Sequence, residues 1–111
     1  MRSDDAIRIR HMVEAAELAG RFVAGRRRGD LDTDQMLLFA LTRAVEIIGE
    51  AASKVSAETR GATPSVPWAA IVSMRNRLVH AYFDIDSDIL WRTAEEEIPQ
   101  LLRSLRSVSL E

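Results

Sequence analysis

Asp32-Thr33-Asp34-Gln35-Met36-Leu37-Leu38-Phe39-Ala40-Leu41-Thr42-Arg43-Ala44-Val45-Glu46-Ile47-Ile48-Gly49-Glu50-Ala51-Ala52-Ser53-Lys54-Val55 decides the fold class. Leu37, Leu41, Ala44, Val45, Ile48, Ala52 and Val55 recur at intervals of three, four or seven, which is the repeat of one helical face. The spacing predicts a helix from about Thr33 to Glu58, and at ~1.5 Å per residue it is long enough to be the spine of a domain. Asp32 with Gln35 three positions on has the form of a capping box. Gly49 inside the helix costs about 1 kcal/mol relative to alanine, which a close approach by a neighbouring helix would explain. Glu46 and Glu50 stand one turn apart on one face, and pairing with arginine on a neighbouring helix accounts for them better than a catalytic role does.

The segments on either side carry the same period. Before the spine, Ile9, Met12, Val13, Ala16, Ala19 and Val23 predict a helix from about Asp4 to Arg27, with Ser3 able to cap its start. His11 lies off that stripe and reads as a surface or boundary histidine. Arg26-Arg27-Arg28 falls at the helix C-terminus, where the helix dipole favours cations, and reads as a solvated end with the option of a phosphate contact. After the spine, Thr59 to Val66 holds Gly61 and Pro64 and reads as a loop. Pro67 suits a first helical position and opens a third helix with Trp68, Ala69, Ile71 and Val72. Asp84 to Ser87 is a short connection, and Ser87 or Asp86 caps a fourth helix through Leu90, Trp91, Ala94, Ile98, Leu101, Leu102 and Leu105. Pro99 cannot donate a backbone bond, so that helix should kink or break near it. No β-pattern, repeat or low-complexity segment stands out. The expected fold is all-α, an up-and-down four-helix bundle formed by residues 1–111 as a single domain.

Composition narrows the function. The 111 residues carry a formal net charge of -2, with no polybasic tail, so bulk attraction to nucleic acid is not indicated and any RNA must meet a local site or a groove formed by assembly. The chain has no cysteine and two histidines far apart in sequence, which removes disulfides, thiolate nucleophiles and thiolate metal sites and makes zinc improbable. No apolar run approaches the ~20 residues that span a bilayer, and the N-terminus lacks a signal-peptide core. The expectation is a cytoplasmic protein without metal or other cofactor.

Chemistry concentrates in Met74-Arg75-Asn76-Arg77-Leu78-Val79-His80-Ala81-Tyr82, followed by Phe83-Asp84-Ile85-Asp86. On a straight helix Asn76 and His80 share a face, as do Arg75 and Tyr82, whereas Arg75 and His80 lie about 140° apart. A compact site therefore needs the Arg75 side chain to wrap round the helix, the helix to distort near its end, or two chains to meet. Histidine titrates near neutrality, and a fixed guanidinium stabilises charge developing on phosphorus. That pairing suits RNA cleavage in which a base activates the 2′-hydroxyl and an acid protonates the leaving oxygen. One histidine per chain is one proton handler short, and a symmetric homodimer would supply the second. The bland reading is that Arg75 and Arg77 pair with Asp84 and Asp86 while His80 caps the helix.

The stretch closely resembles the HepT-like family of the HEPN superfamily, whose mark is Arg, four residues, His, one residue, Tyr, commonly with Asn after the Arg. Trp91-Arg92-Thr93, Glu97-Ile98-Pro99-Gln100-Leu101 and Ala44-Val45-Glu46-Ile47-Ile48-Gly49-Glu50-Ala51-Ala52 extend the resemblance from about Met36 to Leu102. Ala81 stands where Gly or Glu is frequent. The resemblance implies a HEPN-like helical bundle acting as a metal-independent endoribonuclease, the toxin of a toxin-antitoxin pair, in which homodimers face their motifs into a shared cleft. Carried over by position, Arg75 and His80 are catalytic, Asn76 and Arg77 support them, and Tyr82 matches the tyrosine that an MntA-type minimal nucleotidyltransferase antitoxin modifies with AMP. A rival from another class is a non-catalytic helical module that binds a nucleotide or a nucleotidyltransferase, and a purely structural dimerising bundle would leave the cluster unexplained.

Overall fold

Every long helix here is held by an apolar face against its neighbours, in a computed structural model that describes residues 1–81 and 84–109, with the backbone alone for Arg75 and residues 79–81. The elements are α1 (Ser3–Val23), α2 (Asp30–Thr33), α3 (Gln35–Ser53), α4 (Ala57–Ala62), α5 (Trp68–Leu78), β1 (Val79–Ala81), β2 (Asp84–Ile85), α6 (Ser87–Arg92), a π-helical turn (Thr93–Glu97) and α7 (Ile98–Arg106). The last three run on without a break, so α1, α3, α5 and this final rod are the long members of an all-α bundle. Their buried side chains form one cluster, with Ile9, Met12, Leu41, Val45, Ile48, Ile71, Leu78, Leu90, Ile98 and Leu105 at its centre. Gly49 is buried on α3.

Helix directions follow from which ends meet. Ser56, just past α3, bonds Asp5 in the first turn of α1, so α1 and α3 are antiparallel. Ile98 and Pro99 lie by Gly20 and Ala24, while Leu105 lies by Arg10 and Val13, so the final rod is also antiparallel to α1.

Tertiary partners set helix ends differently from the sequence pattern. Arg2 and not Ser3 precedes α1, with no side-chain cap. That helix stops at Val23, and Gly25 takes φ 72°, a left-handed conformation that glycine adopts freely. The arginines beyond it are therefore in a turn. Arg26 pairs with Asp30 and Asp34, and Arg28 pairs with Asp32 at 2.9 Å and Asp88 at 2.6 Å, joining this turn to α6. The cap of α3 is Asp34, which accepts from the Leu37 N–H at 3.0 Å, while Asp32 is taken up by Arg28. That backbone bond, followed by Arg26, holds the Asp34 carboxyl below its usual pKa.

The spine is also shorter than its apolar stripe. It ends at Ser53, where Arg60 donates to the Ala52 carbonyl at 2.8 Å and the Val55 carbonyl at 3.1 Å, satisfying groups that a helix end leaves open. Ser56 then caps α4 in the region that reads as spine and loop in sequence. Asp5 fixes this corner: its carboxylate is 2% exposed and accepts from the Ser56 N–H at 2.9 Å, the Ser56 hydroxyl at 2.6 Å and the Thr59 hydroxyl at 2.6 Å. These hydrogen bonds to the charged form bring its pKa down from 3.8 to about 2. In the final rod the irregularity expected near Pro99 is the π turn directly before it. The Ile98 N–H reaches back five residues to the Thr93 carbonyl, and the wider turn accommodates a proline that would crowd the carbonyl four residues earlier. Asp86, of the two candidates, caps α6 through the Ile89 N–H at 3.0 Å.

Two stability measurements follow. Ile48 is fully buried whereas Leu102 is only partly so, so Ile48→Ala should cost roughly 2–5 kcal/mol in chemical denaturation and Leu102→Ala distinctly less. Because the folded-state pKa of Asp5 is lowered, its contribution is present above pH 3.8 and is lost as pH falls through about 2. Asp5→Asn should therefore melt several degrees below the parent at pH 7, with the gap closing as the pH approaches 2.

Candidate active site at the end of α5

Arg75, Asn76 and Arg77 occupy the last turn of α5, whose position is fixed by Ile71, Met74 and Leu78, each at most 3% exposed. The helix then stops. In a continuing helix the Leu78 carbonyl would accept from residue 82; here it accepts from the Asp86 N–H at 2.9 Å. The chain leaves the helix as β1, pairs antiparallel with β2 and returns to α6. Val79 pairs with Ile85 and Ala81 with Asp84, so two steps on β1 oppose one on β2. His80 is the extra residue, without a cross-strand partner. Such a bulge bends and twists a strand locally and recurs next to active sites, where it re-aims a side chain.

This revises the expected geometry. His80 belongs to a bulged strand and not to the helix, so neither the shared face with Asn76 nor the 140° separation from Arg75 on an ideal helix applies. The helix ends between the two residues, at Leu78. Asn76 is exposed. The modification expected at Tyr82 falls outside the described residues.

Arg77 does not pair with Asp84 or Asp86 as the bland reading supposed. Its guanidinium nitrogens lie 3.3 and 3.4 Å from Oε1 of Glu97, in the π turn. Oε2 of the same carboxylate accepts from the Thr93 hydroxyl at 3.0 Å, and Thr93 is buried at 1% exposure. Thr93 and Glu97 thus tie the last turn of α5 to the final rod. In sequence only their four-residue spacing on one helix is visible; the partner 20 positions upstream is not. The Arg77–Glu97 pair sits at a cavity of about 230 Å³ between α5 and α7, with Pro67, Ile71, Met74 and Gln100 among its walls.

The remaining polar features lie elsewhere. His11 is exposed in a groove of about 340 Å³ between α1 and α3, with Arg8, Arg43 and Lys54. Glu50 pairs with Arg43 of its own helix at 3.4 Å. No helix among the described residues is long and apolar enough to cross a membrane.

Comparison with known proteins supplies the family context. The family model described as ribonuclease HepT-like matches residues 12–108. A Thermococcus cleftensis protein named as a probable ribonuclease HepT is 39% identical over 90 residues, covering 81% of this chain and 82% of that one. A candidate RNase of Caldanaerobacter subterraneus subsp. tengcongensis is 34% identical over 100 residues, covering 90% and 89%. One from Methanocaldococcus jannaschii is 39% identical over 75 residues, covering 68% and 69%. No solved structure matches the chain.

The geometry separates two kinds of support at this corner. Asp86→Ala removes a helix cap and should lower stability by about 1 kcal/mol in urea unfolding. Arg77→Ala breaks a partly exposed ion pair and should cost less than about 1 kcal/mol in the same assay.

Proposed function

We infer that this chain, which belongs to the HepT-like ribonuclease family, is an endoribonuclease whose chemistry is carried by Arg75 and His80. The observation that supports the reading is the Arg75-Asn76-His80-Tyr82 set in the sequence, with Arg75 and Asn76 in the last turn of α5 and His80 in the strand that follows. A helix end fixes Arg75, and a bulge gives His80 its own backbone setting. Between them they hold the two functions that cleavage by the neighbouring 2′-hydroxyl requires. His80 moves a proton near neutral pH, and Arg75 stabilises the negative charge that accumulates on phosphorus. Asn76 and Arg77 support the pair.

The reaction needs both a base and an acid, and one chain brings one His80. A homodimer that sets two α5 ends across a common cleft supplies the second histidine and doubles the arginines. With acid, base and cation all from side chains, the reaction proceeds without metal. In the cytoplasm such an enzyme acts as the toxin of a toxin-antitoxin pair. A nucleotidyltransferase partner of the MntA type would silence it by placing AMP on Tyr82, adding bulk and negative charge where RNA phosphate must enter.

His80→Ala should lower the cleavage rate of an unstructured RNA by about 10²–10⁴-fold, and Arg75→Ala by about 10²–10³-fold, with melting temperatures near that of the parent. Unchanged cleavage by His80→Ala protein would remove the histidine from the chemistry. Nucleotide binding that survives the substitution, in a parent without nuclease activity, would instead favour the binding-module reading.

A further inference from the structure

We propose that Glu97, held by Thr93, is a positioning residue for the stretch that carries Arg75 and His80, acting through Arg77. The proposal rests on the ribonuclease reading of those two residues, and it assigns a task to the π turn that the chemistry itself leaves unexplained.

Where β1 and β2 pair, between α5 and α6, the Asp86 N–H also donates to the Leu78 carbonyl at 2.9 Å. Buried Ile71, Met74 and Leu78 set where α5 lies in the bundle, and the Arg77–Glu97 contact ties the partly exposed side of its last turn to the final rod. Arg77 is the residue directly before Leu78, and Glu97 stands in the rod eleven residues beyond Asp86. Both contacts join α5 to the final rod, at separate places along it, on top of the shared apolar core.

The carboxylate is well suited to this task because its own position is fixed. An exposed arginine-glutamate pair orders two long side chains for little gain, and the Arg77 and Glu97 side chains are 43% and 38% exposed. Here Oε2 is already bound to a hydroxyl on a residue that is 1% exposed. Oε1 is therefore presented to Arg77 from a rigid base. The π turn contains both residues, and π turns inside α-helices are frequent at functional sites. Pro99 lies just beyond it, in the first turn of α7, where its missing N–H leaves no bond to be made back into the π turn.

A misplacement of about 1 Å in a catalytic group costs on the order of a hundredfold in rate. Glu97→Ala should accordingly lower kcat for RNA cleavage by roughly tenfold to a hundredfold, with KM within about twofold and with little change in melting temperature. Glu97→Gln, whose amide oxygen can still accept from Arg77 while its NH2 donates to the Thr93 hydroxyl oxygen, should recover most of the loss. Glu97→Ala with Arg77→Ala together should lose no more than the worse single variant, as expected of two residues acting as one unit. A rise in KM at unchanged kcat, additive losses, or a fall in kcat that tracks unfolding would overturn the proposal.

A readout independent of nuclease activity separates the failure of this proposal from failure of the ribonuclease reading. Proton-carbon NMR of the two imidazoles, assigned with His11→Asn, should show the His80 resonance displaced in Glu97→Ala protein and the His11 resonance unmoved. A His80 signal identical in parent and variant would refute the positioning role even if RNA is cleaved. A displaced signal in a protein that cleaves no RNA would keep the coupling and remove the ribonuclease.

Discussion

The bond from the Asp86 N–H to the Leu78 carbonyl is the constraint on which the candidate site depends. A helix carbonyl near a C-terminus needs a donor, and the choice of donor decides where the chain goes. A donor four residues on would have continued α5 and buried the chemistry-bearing residues in regular helix. A donor eight residues on makes room for a hairpin, puts His80 in a bulge and returns the chain to the core through a capped α6. Leu78 is fully buried, so the bond is anchored in the bundle.

The same logic governs the rest of the bundle. Apolar period sets which face of each helix is buried, while individual polar contacts set where each helix stops. Asp5 stops nothing on its own element, yet it receives the first residues of α4 and so ends the spine. Arg60 reinforces that ending by donating to the Ala52 carbonyl of α3 and the Val55 carbonyl just beyond it, and it also stands 5.9 Å over the Trp68 ring at the start of α5. The arginines after α1 are engaged in a comparable way: Arg26 and Arg28 tie the first turn-rich segment to α3 and α6, which makes them clamps before they are phosphate ligands.

These contacts explain what was legible in the sequence and what was not. Ile9, Met12, Leu41, Val45, Ile48, Ile98, Leu101 and Leu105 are buried where the three-and-four spacing places them, because that spacing alone fixes a helical face. The all-α class follows from residues close together in the chain. The hairpin does not, because strands of three and two residues are too short for an alternating pattern to compete with the helical period on either side. Asp5 with Ser56, and Arg77 with Glu97, are likewise silent in sequence because each partner is chosen by tertiary packing. Local spacing also assigned the cap of α3 to Asp32, although two acids stood near the helix start and Arg28 claimed the first.

The central claim is that the end of α5 cleaves RNA through the 2′-hydroxyl. The most direct measurement is the product of cutting a short labelled RNA, compared with the same sequence carrying a single 2′-deoxy sugar at the cut site. The account predicts a 2′,3′-cyclic phosphate on the upstream fragment and no cleavage at the deoxy position. Equal cleavage of the two substrates, leaving a 3′-hydroxyl and a 5′-phosphate, would contradict it.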